Sequence, residues 1–207
     1  MIYIFLKRIS DIFLSLVALI TLLPVLIIIV AIIKLDSKGS VFYKQVRVGK
    51  DGKKINILRF RTLAAEVDKK AQQIYFQHLS SGNLGSEEYM KVKIKNIPYL
   101  TNVGRFLRYT SLDELPQLWN VLRGDMSLIG PRPPLPFEFQ NYYKDWQKEI
   151  LKVRPGIAGP SLLIKKSELT REKWLELEIQ YAQKRSLFLD LKILYKSFFA
   201  LLFWNGE

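Results

Sequence analysis

The chain of 207 residues has no cysteine and a single histidine, His78. The first absence excludes disulfides, thiolate catalysis and cysteine-ligated zinc. The second excludes a multi-histidine metal site. Acids are also few: 19 Asp and Glu stand against 32 Lys and Arg, a formal charge of +13. Any chemistry must therefore run on carboxylates, Lys, Arg, Tyr, Ser or Thr. A basic excess of this size favours an anionic partner, whether nucleic acid, anionic lipid or a phosphorylated substrate; a basic soluble surface is the plainer alternative. No internal repeat or low-complexity tract occurs, and no linker is long enough to separate two independent domains. The length suits one moderate core plus a membrane element.

The N-terminal stretch from Ile12 to Ile33 carries no charge. At about 1.5 Å per residue, a helix of that length reaches across a bilayer core about 30 Å thick. It is too long for the apolar part of a cleaved signal peptide, and no small-residue cleavage site follows it. Pro24 sits mid-run, where it removes a backbone donor and crowds the preceding turn. Lys7 and Arg8 precede the run; Lys34, Lys38, Lys44 and Arg47 follow it. Basic flanks mark the cytoplasmic side of a membrane segment. With both flanks cytoplasmic the segment must enter and turn back, each half reaching about 15 Å. The residues alone leave a re-entrant hairpin and a kinked span open. Lys7, Arg8 and Asp11 are spaced to share one helical face at the mouth of the run. They either hold lipid headgroups or form a surface ion pair worth about a few tenths of a kcal/mol.

Alternating apolar and polar residues from Ser40 to Phe60 flank Asp51-Gly52, which predicts a β-hairpin. Ala64 to Leu79 is expected to be a helix and Ser80 to Ser86 a loop. Ile97 to Arg108 is expected to be irregular before a short helix. Ser111-x-x-Glu114 matches a capping box, and Leu112, Leu115, Leu118, Trp119 and Leu122 recur at helical spacing, predicting a helix with one buried face. Pro116 falls early enough in it to be tolerated. Pro131 to Pro136 must be an extended or turning loop. Phe137 to Leu151 and Trp174 to Leu187 are expected helices. The tail from Leu187 to Trp204 suits an amphipathic helix in a membrane interface, or an ordinary packing helix.

The chemistry centres on Asp113-Glu114. In the first turn of a helix, Asp113 would be favoured as a carboxylate by the helix dipole. Such a group can attack a phosphoanhydride to give an acyl phosphate. Anion must then meet anion, and a divalent cation with arginines offsets that repulsion. Mg²⁺ prefers one or two carboxylates plus phosphate oxygens and water. Asp113, Arg123, Asp125 and Arg132 provide the residue types. The bland alternative is a capping Glu114, a dipole-favourable Asp113 and a plain turn at Arg123-Gly124-Asp125.

A longer pattern bears on that choice. It comprises KRISD (Lys7 to Asp11), the proline-broken run, FYKQVRVGKDGK (Phe42 to Lys53) and RFRT (Arg59 to Thr62). It continues with TNVGRFLRYTSLDELPQLWNVLRGDMSLIGPRP (Thr101 to Pro133), RPGIAG (Arg154 to Gly159) and SLFLDLKIL (Ser186 to Leu194). Over most of its length the chain resembles the small bacterial sugar transferases of the monotopic phosphoglycosyl transferase family. The resemblance implies a mostly helical α/β protein at the cytoplasmic face of the bacterial inner membrane. Residues 1–36 would form a re-entrant membrane helix and 37–207 a cytoplasmic catalytic domain with a short β-hairpin and interfacial amphipathic helices. It implies transfer of a phosphosugar from a UDP-sugar to polyprenol (undecaprenyl) phosphate, with release of UMP, at the start of surface glycan or glycoconjugate synthesis. Asp113 would be the nucleophile of a covalent intermediate, and Glu114 would position or deprotonate the acceptor. Both would serve Mg²⁺. Arg61, Arg105, Arg108 and Arg132 would contact phosphate, and Lys7, Arg8, Asp11 and Pro24 would serve the membrane element. Membrane lipid is an implied partner, downstream glycosyltransferases are candidates, and nucleic acid is not a partner.

Three positions depart from the family pattern. Leu23-Pro24 replaces a frequent Ser-Pro, removing a hydroxyl at the break. Asn96-Ile97-Pro98-Tyr99-Leu100 lacks the acid and arginine of a common Asp-Pro-Arg, so an expected phosphate or uridine contact is not carried over. Pro160-Ser161-Leu162 replaces an aromatic and a glutamine, pointing to an altered sugar or nucleotide pocket. A catalytically silent membrane scaffold of the same fold is the rival reading, which the intact Asp113-Glu114 opposes. A basic nucleic-acid binder, with Lys91, Lys93 and Lys95 alternating in a strand-like stretch, is the remote one.

Overall fold

A computed structural model of the chain describes residues 2–63, 100–143, 145–164 and 170–202. It is mostly helical, with two small two-stranded sheets among the described residues. The expected helix at 64–79, the loop at 80–86, the lysine row at 91–95 and the altered segment around Pro98 lie outside those residues. The chain divides into two compact units. One comprises Met1–Leu23, Lys44–Arg59 and Pro116–Glu207; the other comprises Pro24–Tyr43 and Phe60–Leu115.

The uncharged run forms two helices, α1 (Ile2–Thr21) and α2 (Leu23–Asp36), interrupted at Leu22 and bent by 62°. Pro24 is the second residue of α2, where a missing N–H removes no intrahelical bond. The break falls just before it because the ring crowds the preceding turn. The Thr21 hydroxyl donates to the carbonyl of Val17 at 2.9 Å. That hydroxyl serves carbonyls within α1, so it does not stand in for the one missing at Leu23. Among the described residues no single helix is long and apolar enough to cross a membrane; the bent pair meets that length and composition as a broken span or a re-entrant loop.

α1 is polarised in an unusual sense. Its buried residues are Asp11 and Ser15, whereas Phe5, Ile12, Phe13, Leu16 and Ile20 are exposed. A helix solvated by water would present the reverse.

β1 (Phe42–Val48) and β2 (Lys54–Phe60) form the expected hairpin. Asp51 and Gly52 both take positive φ (57° and 76°), and the Lys53 N–H donates to the Lys50 carbonyl at 3.2 Å. A two-residue primed turn requires this geometry, and its twist matches that of the strands. Further elements are α3 (Asn102–Tyr109), α4 (Gln117–Arg123), β3 (Ser127–Ile129), α5 (Pro136–Tyr142), β4 (Gly156–Ala158), α6 (Arg171–Lys184) and α7 (Leu187–Leu202).

Two expected helices are corrected. The stretch 137–151 is not continuous: α5 ends at Tyr142, Tyr143 is extended, and Asp145–Lys152 is a 3₁₀ segment. The run from Ser111 does not become one helix with one buried face. Leu112–Glu114 is a lone 3₁₀ turn, α4 starts only after Pro116, and Trp119 is exposed. Proline is compatible only with a helix start, so the α-helix begins behind it rather than at Ser111.

Each unit has its own apolar packing. In the second unit, Ile29 and Ile33 of α2 meet Val41, Phe60 and Leu107. In the first, Ile57, Val121 and Met126 form one cluster, and Ile129, Tyr181 and Ile193 another. The most buried polar side chain of α4, Asn120, joins it to β2. Its Oδ1 accepts from the Leu58 N–H at 2.9 Å, and its Nδ2 donates to the Asn56 carbonyl at 2.8 Å. α7 buries Asp190 and Ile193 but exposes Phe188, Leu191, Tyr195 and Phe198, a second apolar stripe at helical spacing.

Candidate active site

In the second unit the acidic pair sits on a tight turn. Ser111 takes left-handed backbone angles (φ 57°, ψ 14°), and its carbonyl accepts from the Glu114 N–H at 3.2 Å. The capping box does not form: the Ser111 side chain caps nothing, because an N-cap requires extended backbone. Asp113 thus stands ahead of α4, and the helix-dipole argument for it lapses. Its environment is set by packing instead. Leu112 and Leu115 on either side of the pair pack against the cluster built on Ile29 and Ile33 of α2. Asp113 is only 5% exposed and Glu114 is half-buried. Water is largely excluded from the Asp113 carboxylate, which strengthens its interaction with any nearby charge.

The arginines of this unit differ in what holds them. Arg105 and Arg108 lie three apart on α3, so they share a face, and Arg105 is exposed. Arg108 Nε donates to Thr62 Oγ1 at 2.9 Å. The Thr62 carbonyl accepts from the Thr101 N–H at 3.1 Å, and Thr101 Oγ1 caps α3 by accepting from the Gly104 N–H at 2.9 Å. Only glycine fits at 104, since a Cβ would come within 2.0 Å of the Thr62 carbonyl oxygen. Arg61 is buried, and its guanidinium donates to the carbonyls of Ser37 (2.7 Å) and Lys38 (2.8 Å) and to Ser37 Oγ (2.8 Å). It closes the C-terminal end of α2, whose last carbonyls have no helical partner.

Arg132 belongs to the first unit, on the Gly130-Pro131-Arg132-Pro133 loop. β3 and β4 pair in parallel with Ser127 opposite Gly156 and Ile129 opposite Ala158. The loop is pinned residue by residue. The Gly156 N–H donates to the Pro131 carbonyl (2.9 Å), Arg47 Nη1 to the Pro133 carbonyl (3.1 Å), and the Val48 N–H to the Pro134 carbonyl (2.9 Å). The Arg132 N–H donates to Glu178 Oε2 at 3.1 Å.

Glu178 and Arg47 are positioning residues absent from the expected set. For Glu178 a signal existed: it lies on the same face of α6 as Leu175, Ile179 and Ala182, where a carboxylate is out of place. It is fully buried, and burial pushes its carboxyl up to about 8 despite the Arg132 N–H and guanidinium, which pull it down. The folded state then holds a proton that the unfolded chain releases above about pH 4.5. Stability from this group is complete below that pH and is lost as pH rises toward 8. The slope is at most about 1.4 kcal/mol per pH unit. Denaturant unfolding between pH 5 and 8 is expected to show this decline, and Glu178→Gln to flatten it. An unchanged slope in the variant would reject the assignment.

Lys7, Arg8 and Asp11 do not pair with one another as a surface bridge among the described residues. Lys7 pairs with Asp190 of α7 at 3.0 Å. Arg8 donates to the Val121 and Leu122 carbonyls at the end of α4 (2.6 and 2.8 Å), and Asp11 Oδ1 accepts from the Leu128 N–H at 3.1 Å. Facing protein, each side chain pairs with the element packed on its side of α1. Tyr3 and Tyr181 also bond Asp190, and burial followed by the Asp190 carboxylate raises the Tyr181 hydroxyl well above its usual range. Arg123 and Asp125 pair with each other at 3.4 Å across the left-handed Gly124, the plain turn of the bland reading.

For a metal, the donor chemistry at Asp113-Glu114 fits Mg²⁺, which takes one or two carboxylates and completes its shell with phosphate and water. Among the described residues no group of three or more His, Cys, Asp or Glu is arranged to hold an ion. A cage made wholly of protein ligands is thus not what these residues provide.

Comparison with known proteins matches the bacterial sugar transferase family over residues 2–204. The chain is 34% identical over 98% of its length to the UDP-galactose-lipid carrier transferase of Erwinia amylovora, covering 41% of that protein. It is 38% identical over 93% of its length to the UDP-glucose:undecaprenyl-phosphate glucose-1-phosphate transferase of Klebsiella pneumoniae, covering 39% of it. The exopolysaccharide production protein ExoY of Rhizobium meliloti is 34% identical, with 97% of this chain and 87% of that protein covered. With the family matched from the first turn of α1 to the end of α7, the chain belongs to the bacterial sugar transferases.

Proposed function

We propose that the chain is a phosphoglycosyl transferase that moves a phosphosugar from a UDP-sugar to polyprenol phosphate at the cytoplasmic face of the bacterial inner membrane. The observation behind this reading is the placement of Asp113. It is a nearly buried carboxylate on a turn whose flanking leucines pack on α2, the second half of the bent apolar pair. A nucleophile anchored to that helix is held at a constant depth relative to a lipid-borne acceptor. Relatives named for UDP-sugar and undecaprenyl-phosphate reactions support the substrate classes.

In the first step an Asp113 carboxylate oxygen attacks the sugar-bearing phosphorus of the donor. The bond from that phosphorus to the bridging oxygen breaks, and UMP leaves with the electron pair. The phosphosugar is now an acyl phosphate on Asp113. In the second step an oxygen of polyprenol phosphate attacks the same phosphorus, and the Asp113 carboxylate is released. Glu114 takes the acceptor's proton. Arg105 and Arg108 meet the donor phosphates. Asp113 and Glu114 would hold Mg²⁺, which would supply charge neutralisation for the donor diphosphate.

Residues 1–36 act as a re-entrant membrane element and 37–207 as the catalytic domain. In favour of lipid contact, α1 buries Asp11 and Ser15 while exposing Phe5, Phe13 and Ile20, and α7 exposes Phe188, Leu191 and Tyr195. A panel of UDP-sugars with undecaprenyl phosphate and Mg²⁺ is expected to give acceptor-dependent UMP release for at least one donor. Single cysteines at Ile2 and Lys38 are expected to react with an impermeant reagent from the cytoplasmic side only. Silence across the panel would favour the scaffold reading, and labelling from opposite sides would establish a full span.

A further inference from the structure

The first unit contains a basic cleft that the transfer reaction does not use. Its walls come from α1 (Lys7), the hairpin turn (Lys50), β3 (Ser127), the segment before β4 (Lys152 and Arg154) and the end of α6 (Arg185). Its cavity volume is ≈ 70 Å³. Three of its cations have acidic neighbours: Lys7 with Asp190 (3.0 Å), Lys50 with Asp51 (3.7 Å) and Lys152 with Glu149 (2.6 Å). The pairs at Lys50 and Lys152 are largely solvent-exposed and therefore weak. Neither arginine pairs with an acid among the described residues. Arg154 Nε donates to the Gly124 carbonyl at 3.0 Å, and Arg185 Nη1 to the Ala182 carbonyl. Asp11 also lines the cleft, but its Oδ1 accepts from the Leu128 N–H.

The second observation is Ser127. The residue is 1% exposed and lines this cleft, and its Oγ has no hydrogen-bond partner among the described residues. A buried hydroxyl left unpaired is destabilising, so a partner supplied at the cleft would stabilise it. Donors gathered from a hydroxyl, two guanidinium groups and ammonium groups are met by a tetrahedral oxyanion, with the arginine fork suited to two of its oxygens.

We propose that this cleft binds a phosphate group, at a site separate from Asp113 and Glu114. The phosphate is either free in solution or the headgroup of an anionic lipid. The second source has a structural route, because Ile4 on the cleft wall and the neighbouring Phe5 belong to the exposed apolar face of α1. A headgroup in the cleft would leave its acyl chains along that face. The site depends on none of the transfer chemistry, so its fate is separable from that of the proposed reaction.

The test uses the purified full chain in neutral detergent micelles, titrated with inorganic phosphate at constant ionic strength and read by the shift in melting temperature. Lys152→Gln/Arg185→Gln is expected to weaken phosphate binding at least tenfold and Ser127→Ala severalfold. Lys53→Gln/Lys54→Gln, with the same charge change on exposed lysines outside the cleft, is expected to leave it unchanged. Flotation with vesicles of phosphatidylcholine alone, or containing 30% phosphatidylglycerol, forms the second arm. Selective loss of phosphate binding together with loss of phosphatidylglycerol-dependent flotation supports the site with a lipid headgroup as its source. Selective loss of phosphate binding with flotation intact supports it with free phosphate. No measurable phosphate binding by the wild type, unchanged binding in both cleft variants, or an equal loss in the Lys53/Lys54 control overturns the proposal.

Discussion

Asp113→Asn is expected to lower turnover by at least about a thousandfold, because an amide has neither the charge nor the lone-pair basicity to displace UMP. The substitution keeps the shape of the side chain, so the leucines beside it remain on the α2 cluster and the fold is retained. Intact-protein mass spectrometry separates the two steps. With a UDP-sugar and no acceptor, the wild type is expected to gain the mass of one phosphosugar and Asp113→Asn none. Glu114→Gln is expected to keep the adduct and lose the transfer to polyprenol phosphate. The outcome that would refute the scheme is wild-type turnover by Asp113→Asn. Kinetics requiring donor and acceptor to be bound together, with no adduct under any condition, would also exclude it.

Gly104→Ala is expected to be the most destabilising single methyl group in the second unit. Its Cβ would lie 2.0 Å from the Thr62 carbonyl oxygen and 2.6 Å from the Thr62 carbonyl carbon. Both sides of the clash are backbone, so no rotamer relieves it and α3 must move away from Thr62. Overpacking with side-chain relief costs about 1–3 kcal/mol, and we expect at least about 3 kcal/mol here. Thr62 accepts from both Thr101 and Arg108, so the displacement carries Arg105 and Arg108 with it and turnover falls as well. Gly52→Ala is the contrast. Gly52 has φ +76° with no atom of the described residues within 4 Å of an added Cβ, so only left-handed strain of about 1–2 kcal/mol is expected, with turnover kept. Urea unfolding of the two variants is the measurement. Equal losses at both glycines would show that the approach of α3 to Thr62 is not a constraint.

Local signals in the chain were decisive wherever the answer depended on neighbours in sequence. Asp51-Gly52 specifies a hairpin because only small or polar residues tolerate two positive φ angles in succession. Pro24 specifies a break because its ring excludes the preceding helical turn. Both features stand where expected. Ser111 shows how such a signal fails. The capping-box pattern was present, but the backbone turned left-handed there, and Pro116 deferred the helix by a turn. The carboxylate pair was legible as a pair, whereas the reason for its position was not. Leu112 and Leu115 reach a cluster whose other members are tens of residues away in sequence.

The chain's order of residues was enough to establish the absence of thiol and multi-histidine chemistry, the family, the acidic pair and the broken apolar helix, since each rests on composition or on contiguous residues. Contacts between distant segments assigned the other roles. Arg61 was turned onto the end of α2, Lys7 onto Asp190, Arg8 onto α4, and Glu178 under the Arg132 loop. A charged side chain shows in the sequence that it needs a partner. Which partner it finds depends on which buried carbonyls, amides and carboxylates the packed elements bring within about 3 Å of it.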